Sequence, residues 1–203
     1  MGKTKYRTLK GFSTGEYKEK GSKFIGLAVP CNSEEYAKSY LAEWRKEHHQ
    51  SRHLCYAYRL GYKADRFRAN DDGEPSNSAG APILGQLQSF ELTNVLVGVI
   101  RYYGGTKLGV GGLIHAYRTA AKEAIEAGEI EIREVQSWYN MTFEYSAMTP
   151  VMELLKRKKV EISEREFAET CRITVALPLE NDADLRQEFE SIDTVEMIAL
   201  GIR

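Results

Sequence analysis

Residues 104–112 (GGTKLGVGG) combine five glycines with a lysine, Lys107, and could bind an anion. They lie between an apolar strand predicted for 94–103 and an amphipathic helix, and backbone N–H groups at such a turn can face an anion. Arg101, at the end of the strand, would point into the same crevice. We therefore expect an anion- or nucleic-acid-binding set made of Arg101, Lys107 and the amides of Gly104, Gly105, Gly111 and Gly112.

The glycine-rich segment does not match the two common nucleotide fingerprints. Starting from Gly104, a phosphate loop would need Lys followed by Ser or Thr after Gly109, but Val110 and Gly111 occupy those positions. Starting from Gly109, the dinucleotide pattern would need glycine at Ile114. The other interpretation is tight packing, in which the glycines let a helix approach a sheet closely. Both interpretations stay open at this point.

A second candidate segment, DDGEPSNSAG at 71–80, places three carboxylates within four residues. Carboxylates this close together can hold a hard cation or act as acid and base. The D-G and E-P pairs of this segment are also frequent in turns, and Ser76 or Ser78 could cap the next helix. A serine nucleophile would lack an identifiable base. We expect a cleft lined by His53, Asp71, Asp72, Glu74 and Ser76, with no catalytic residue, metal or cofactor.

His49, His53 and Cys55 have a spacing that loosely fits a metal site. They straddle the predicted end of a helix and the start of a strand, so a structural role is favoured. The run KRKK at 156–159 is most simply a helix C-terminus that complements the helix dipole.

These residues must be positioned by elements that hydrophobic periodicity predicts. Residues 6–31 are expected to form strands with turns at Gly15 and Gly21, and a helix should begin at Asn32. Residues 53–60 alternate as a strand, and 61–79 are expected to be a long polar loop. A helix should begin near Pro82, and another should follow the glycine-rich segment and end at Gly128.

The charged stretch 129–136 predicts a domain boundary. Beyond it the pattern is strand, helix, strand, strand, helix, strand, which is the order of a ferredoxin-like βαββαβ domain. The chain is therefore predicted to be of the α+β class, with one domain at 1–132 and a second at 133–203.

Composition narrows the class of protein. The 203 residues are 42% apolar and include three cysteines without a C-x-x-C pair, which favours a globular chain in a reducing cytoplasm. No stretch has the length of a membrane span or the pattern of a secretion signal. Residues 1–132 carry 19 Lys and Arg against 15 Asp and Glu, whereas 133–203 carry 9 against 14. The basic first part could attract phosphates, although an ordinary solvated surface explains it as well.

Taken together, DDGEPSNSAG and NVLVGVIRYYGGTKLGVGGLIHAYRTAAKEAI resemble the IMPACT family, in its bacterial, YigZ-like branch. The resemblance covers roughly residues 15–128 and extends more loosely through the second domain. Family members typically have glycine and threonine where Asn77 and Ser78 stand, and phenylalanine in place of Tyr103. Asn77 is compatible with a left-handed turn conformation, so the loop can keep its shape.

The resemblance implies a fold for each domain and a role in translation. The N-terminal domain should resemble the second domain of a small-subunit ribosomal protein, and the C-terminal domain the last domain of elongation factor G. The implied function is a non-catalytic, translation-associated regulator that binds RNA or a ribosomal component, with a protein partner also conceivable and no membrane involved. The alternative is a metal-assisted hydrolase or phosphotransferase that uses Asp71, Asp72 and Glu74 on a phosphorylated small molecule.

Overall fold

The computed structural model describes residues 4–202 and divides into two compact units. One unit is Tyr6–Arg133; of the described residues, the other contains 4–5 and 134–202. The division falls one residue beyond the predicted boundary. The predicted α+β class is confirmed, because five helices and eleven strands occur in the described part of the chain.

The first unit is built on a five-stranded antiparallel sheet in the order β2-β3-β6-β4-β5. A separate two-stranded sheet pairs β1 with β7. The elements in chain order are β1 (Lys5–Leu9), β2 (Ser13–Glu19), β3 (Ser22–Pro30), α1 (Glu34–Glu47), β4 (His53–Leu60), β5 (Arg66–Asn70), α2 (Gly80–Ser89), β6 (Val95–Tyr102), α3 (Gly109–Glu126) and β7 (Ile130–Glu134).

Helices cover both faces of this sheet, which explains why its central strand β6 is apolar from Val95 to Ile100. Val95, Val97 and Val99 of β6 pack with α2 and α3 on one face. Leu96 and Ile100 pack with Trp44 of α1 on the other face. Successive side chains of a strand point to opposite faces, so one continuous apolar run supplies both cores.

Two glycines set the distance between α3 and the sheet. A Cβ built on Gly26 of β3 would lie 2.2 Å from the carbonyl oxygen of Ala120, and one built on Gly15 of β2 would lie 2.5 Å from the backbone nitrogen of Ala124. The predicted turn at Gly15 is therefore wrong, because this glycine lies within β2 and allows helix contact. The turn occurs at Lys20 and Gly21, which both have positive φ.

Three other local predictions need correction. The expected loop 61–79 contains strand β5, whose side chains are mostly exposed and so show no apolar alternation. Helix α1 is capped by Ser33 rather than Asn32, because the Ser33 hydroxyl accepts from the backbone N–H of Tyr36. Helix α2 begins at Gly80, two residues before Pro82.

The second unit contains a four-stranded antiparallel sheet in the order β11-β8-β10-β9, with its core between that sheet and two helices. This order confirms the predicted ferredoxin-like arrangement. Its elements are β8 (Gln136–Glu144), α4 (Met148–Lys158), β9 (Glu161–Glu166), β10 (Thr170–Pro178), α5 (Asp182–Glu190) and β11 (Glu196–Ile202). None of the predicted site residues lies in it.

Within residues 4–202, no helix combines the length and the apolar content needed to cross a lipid bilayer.

We expect Gly26→Ala to destabilise the first unit by about 2 kcal/mol or more, because its methyl group would collide with the α3 backbone. Gly85→Ala is the matched control: nothing lies within 4 Å of its added Cβ inside α2, so a gain of about 0.5–1 kcal/mol is expected. Urea unfolding followed by Trp44 fluorescence in a Trp138→Phe background measures both. Equal stability of the two variants would contradict the close-approach explanation.

Candidate functional site

The site lies at the end of the sheet where β6 finishes and β3 and β4 begin. The register places Arg101 of β6 directly between Phe24 of β3 and His53 of β4. A cleft of about 470 Å³ opens there. It is lined by Arg52, His53, Gly73, Glu74, Pro75, Arg101, Tyr103, Lys107, Leu108, Gly109, Val110 and Leu113.

A buried ion pair forms the base of the cleft. Oε1 of Glu74 accepts from Nη1 of Arg101 at 2.5 Å and from the hydroxyl of Tyr117 at 2.8 Å. The side chains of Glu74 and Arg101 are only 5% and 7% exposed. A buried charge is tolerated only when it is paired and hydrogen-bonded, so these three side chains depend on one another.

Aromatic rings hold the Arg101 guanidinium on two sides. Its central carbon lies 5.5 Å from the centroid of the Phe24 ring and 5.4 Å from that of Tyr103. Its Nε–H is buried and has no hydrogen-bond partner in the described residues. Cation–π contacts with the two rings therefore supplement the single ion pair.

Tyr117 and Cys55 complete the buried cluster as neutral groups. Burial raises the pKa of the Tyr117 phenol well above its ordinary value, and the neighbouring Cys55 and Glu74 raise it further. Burial likewise raises the pKa of the Cys55 thiol, whose Sγ–H donates to the carbonyl of Asp71. Both groups therefore keep their protons at neutral pH, so Tyr117 acts as a permanent hydrogen-bond donor to Glu74.

His53 presents one ring nitrogen to the cleft. Its Nδ1 lies 2.7 Å from the carbonyl oxygen of Asp72, and a carbonyl can only accept, so Nδ1 carries a proton. Its Nε2 lies 3.9 Å from Oε1 of Glu74. The imidazole is thus oriented by the loop and lies beside the buried carboxylate, with a side chain that is 15% exposed.

Asp71 organises its own loop. One of its carboxylate oxygens accepts from the backbone N–H groups of Ala79 and Gly80, and the other accepts from that of Asn77. These bonds cap the start of α2, which has no side-chain cap of its own. Asn77 has φ of 61°, in the left-handed region with which this residue type is compatible.

Asp72 ties the same loop to the sheet and to α1. Its Oδ2 accepts from the backbone N–H of Leu54 at 2.7 Å and pairs with the guanidinium of Arg45. Ser76 is exposed and receives a weak contact from the Asn77 side-chain amide. Of the five residues expected to line the cleft, the structure therefore places His53 and Glu74 on its wall, and directs Asp71 and Asp72 to backbone amides.

The three carboxylates consequently do not converge on a point. Each has its own set of donors, and no group of three or more His, Cys, Asp or Glu side chains within residues 4–202 is arranged to hold a metal ion. The loop that contains these carboxylates thus serves to position Glu74 and His53.

The glycine-rich turn is partly a packing device. The amide of Gly104 donates to the Ser22 hydroxyl, and a Cβ at this position would meet the backbone of Gly21 at 1.9 Å. The expectation of a free amide at Gly104 is therefore wrong. Gly105 has positive φ and is exposed, and Gly111 and Gly112 lie in the first turn of α3. Of this turn's glycines, Gly109 lines the cleft.

Two cations on the cleft wall have no carboxylate partner. Arg52 and Lys107 are exposed, and neither forms an ion pair with any residue of the described chain. The first turn of α3 contains no acidic residue and no side-chain cap, so its N–H groups add positive potential beside Lys107. Because Glu74 is paired with Arg101, the charged cleft residues without an ion-pair partner among the described residues are Arg52 and Lys107.

Sequence reasoning missed Tyr117 and Arg52 as site residues. The signal for Tyr117 is a hydroxyl on a helix face otherwise made of alanine, leucine and isoleucine, which indicates a buried acceptor. Arg52 belongs to no motif and contributes only to the basic excess of residues 1–132. Tyr103, which is 42% exposed, appeared only as a departure from the family pattern.

Comparison with known proteins matches the first unit to a described domain. A family model for the Impact N-terminal domain covers residues 20–125. A Haemophilus influenzae protein described as an IMPACT family member is 34% identical over 150 residues, covering 73% of each chain. The Escherichia coli IMPACT family member YigZ is 32% identical over 185 residues, covering 90% of this chain and 91% of that protein. A crystal structure of a hypothetical protein superposes with a TM-score of 0.77 at 27% identity over 98% of both chains.

We expect Glu74→Gln to destabilise the first unit by about 3–5 kcal/mol, because it leaves the Arg101 charge buried without a counter-charge. Glu129→Gln is the control, since Glu129 pairs with Lys10 at 3.1 Å on the surface and should cost less than about 1 kcal/mol. Urea unfolding followed by Trp44 fluorescence, again in the Trp138→Phe background, compares the stability of the two variants. A loss at Glu74 as small as that at Glu129 would show that the buried pair is not a structural requirement.

Proposed function

Since the chain belongs to the IMPACT family, we propose that it is a non-catalytic, translation-associated protein that binds RNA or a ribosomal component. The binding surface in this proposal is the cleft at the end of the sheet, with the glycine-rich turn as one wall and the 73–75 loop as the other. The role in translation comes from the family resemblance, and the mode of binding comes from the charges of the cleft.

The observation that carries the proposal is the pair of exposed cations, Arg52 and Lys107, which line one cleft and form no ion pair with any described residue. Phosphate groups are the natural counter-charge for such a pair, and the amides at the start of α3 would assist. Tyr103 offers an exposed ring on which an unpaired base can stack. A single strand would therefore fit this cleft better than a duplex, whose bases are already stacked.

The metal-assisted hydrolase or phosphotransferase has less support. It would need Asp71, Asp72 and Glu74 to be available to a cation or a substrate, but their oxygens accept from backbone amides, Arg45, Arg101 and Tyr117. A cation or substrate could bind these oxygens only if the hydrogen bonds and ion pairs that hold the 71–80 loop were broken. We therefore propose no enzymatic activity for this site.

We expect labelled single-stranded polyuridine RNA of twelve nucleotides to bind with an affinity that falls steeply with salt concentration. The double substitution Arg52→Ala with Lys107→Ala should remove two phosphate contacts and reduce the slope of log K against log[salt] by roughly 1.4, at about 0.7 per contact for single strands. Fluorescence anisotropy at several salt concentrations measures the slope.

The control removes the same charge elsewhere: Lys38→Ala with Lys46→Ala on α1, where both lysines are exposed and unpaired. This variant should change the slope much less than the cleft variant does. Co-sedimentation with purified ribosomal subunits tests the second possible partner. If the cleft variant behaves like wild type toward both RNA and subunits, the cleft is not the binding surface.

A further inference from the structure

A groove runs along α1, on the face of the sheet opposite to α3. Two adjoining cavities of about 330 and 560 Å³ share Pro30 and Tyr40 and together form this α1 groove. One wall is helix α1 from Tyr36 to Glu47, and the other includes residues of β1 and β3 and the turn at Gly11 and Phe12. The smaller cavity is also lined by Asn94 and by Arg133, whose guanidinium is paired with Glu131.

The α1 groove has an aromatic lining. Trp44 forms its floor: it is 4% exposed and packs where Gly98 leaves room on β6. The Tyr40 ring stacks on Trp44 with 6.0 Å between centroids. Phe12 and Tyr36, each 60% exposed, stand at its edges. Exposed aromatic side chains grouped around one groove mark an interaction surface more often than single exposed residues do.

The Phe12 end of the α1 groove is acidic. Glu43 and Glu47 both line the cavity, are exposed, and form no ion pair with any described residue. They are four residues apart on the helix, so their like charges repel each other and weaken α1 slightly. A cation placed between them would remove this repulsion and would lie in the cavity that Tyr40 also lines.

We propose that the α1 groove binds a short, extended, basic segment of a partner protein. A lysine or arginine of that segment lies between Glu43 and Glu47, and its apolar side chains cover Tyr40 and Phe12. From Tyr36 to Glu47 the helix rises roughly 16 Å, at about 1.5 Å per residue, which an extended peptide spans with roughly five residues. This docking site is separate from the cleft and does not depend on the proposed RNA binding.

The charges favour a basic protein segment over the other occupants. A nucleic acid would bring phosphates against two unpaired carboxylates, and an acidic peptide would do the same. A purely apolar segment would leave the carboxylates unpaired. Basic arms are common in proteins that themselves bind nucleic acid, so a partner of this kind suits a translation-associated protein.

The test uses the full chain and a labelled six-residue peptide of alternating lysine and leucine, followed by fluorescence anisotropy. We expect this peptide to bind at least about tenfold more tightly than the matched peptide with glutamate in place of lysine. Glu43→Gln with Glu47→Gln should weaken binding by about fivefold or more, because the bound cation loses both of its counter-charges. Phe12→Ala, at an exposed position that leaves the core intact, should weaken it by a similar factor.

The matched control is Glu153→Gln with Glu164→Gln, two exposed and unpaired carboxylates of the second unit, which should leave peptide affinity unchanged. Equal binding of the two peptides, or equal weakening by the control pair, would overturn the proposal. So would sedimentation that shows a dimer which Phe12→Ala converts to a monomer, because a second copy would then occupy the groove. Loss of RNA binding in the cleft variant together with unchanged peptide binding keeps the two sites distinct.

Discussion

The buried ion pair between Glu74 and Arg101 is the interaction on which the rest of the site depends. It joins the last part of the central strand to a loop that has little regular structure. Tyr117 adds a third link from α3, so sheet, loop and helix meet at one carboxylate oxygen. Because the pair is almost completely buried, the loop cannot move away without exposing or orphaning a charge. The shape of the cleft is therefore fixed by electrostatics as much as by packing.

The same pair decides which charges of the cleft lack a partner. Arg101 was expected to meet an external anion, but its counter-charge is Glu74. Arg52 and Lys107 line the cleft, are exposed, and form no ion pair with any described residue. The buried residues thus build the surface, and the exposed residues carry its unpaired charges. The α1 face of the same sheet carries unpaired carboxylates instead, so the two surfaces differ in the ligands that their charges favour.

An element could be predicted from the sequence when its burial leaves a regular pattern of apolar residues. Strand β6 and helix α3 were predictable because burial on two faces or one stripe imposes an apolar period. Strand β5 was not, since an edge strand with exposed side chains leaves no such mark. His53 and Glu74 could be placed in one cleft only because the loop motif at 71–80 was recognised. The pairing of Glu74 with Arg101 depends on the register of β3, β6 and β4, and its contact with Tyr117 depends on the packing of α3. The roles of Asp71 and Asp72 as acceptors for backbone amides could not be read from residue types, because catalytic and capping carboxylates look alike.

The strand order β2-β3-β6-β4-β5 has a consequence for biosynthesis. The two outer hairpins, β2–β3 and β4–β5, are complete before the central strand emerges from the ribosome. Until then, each hairpin presents an open edge of unpaired backbone groups. When Val95–Tyr102 arrives, it closes both edges in one event. The face of the sheet that packs against α3 stays uncovered until that helix follows, so the nascent chain exposes aggregation-prone surface from the first hairpin until α3 is complete.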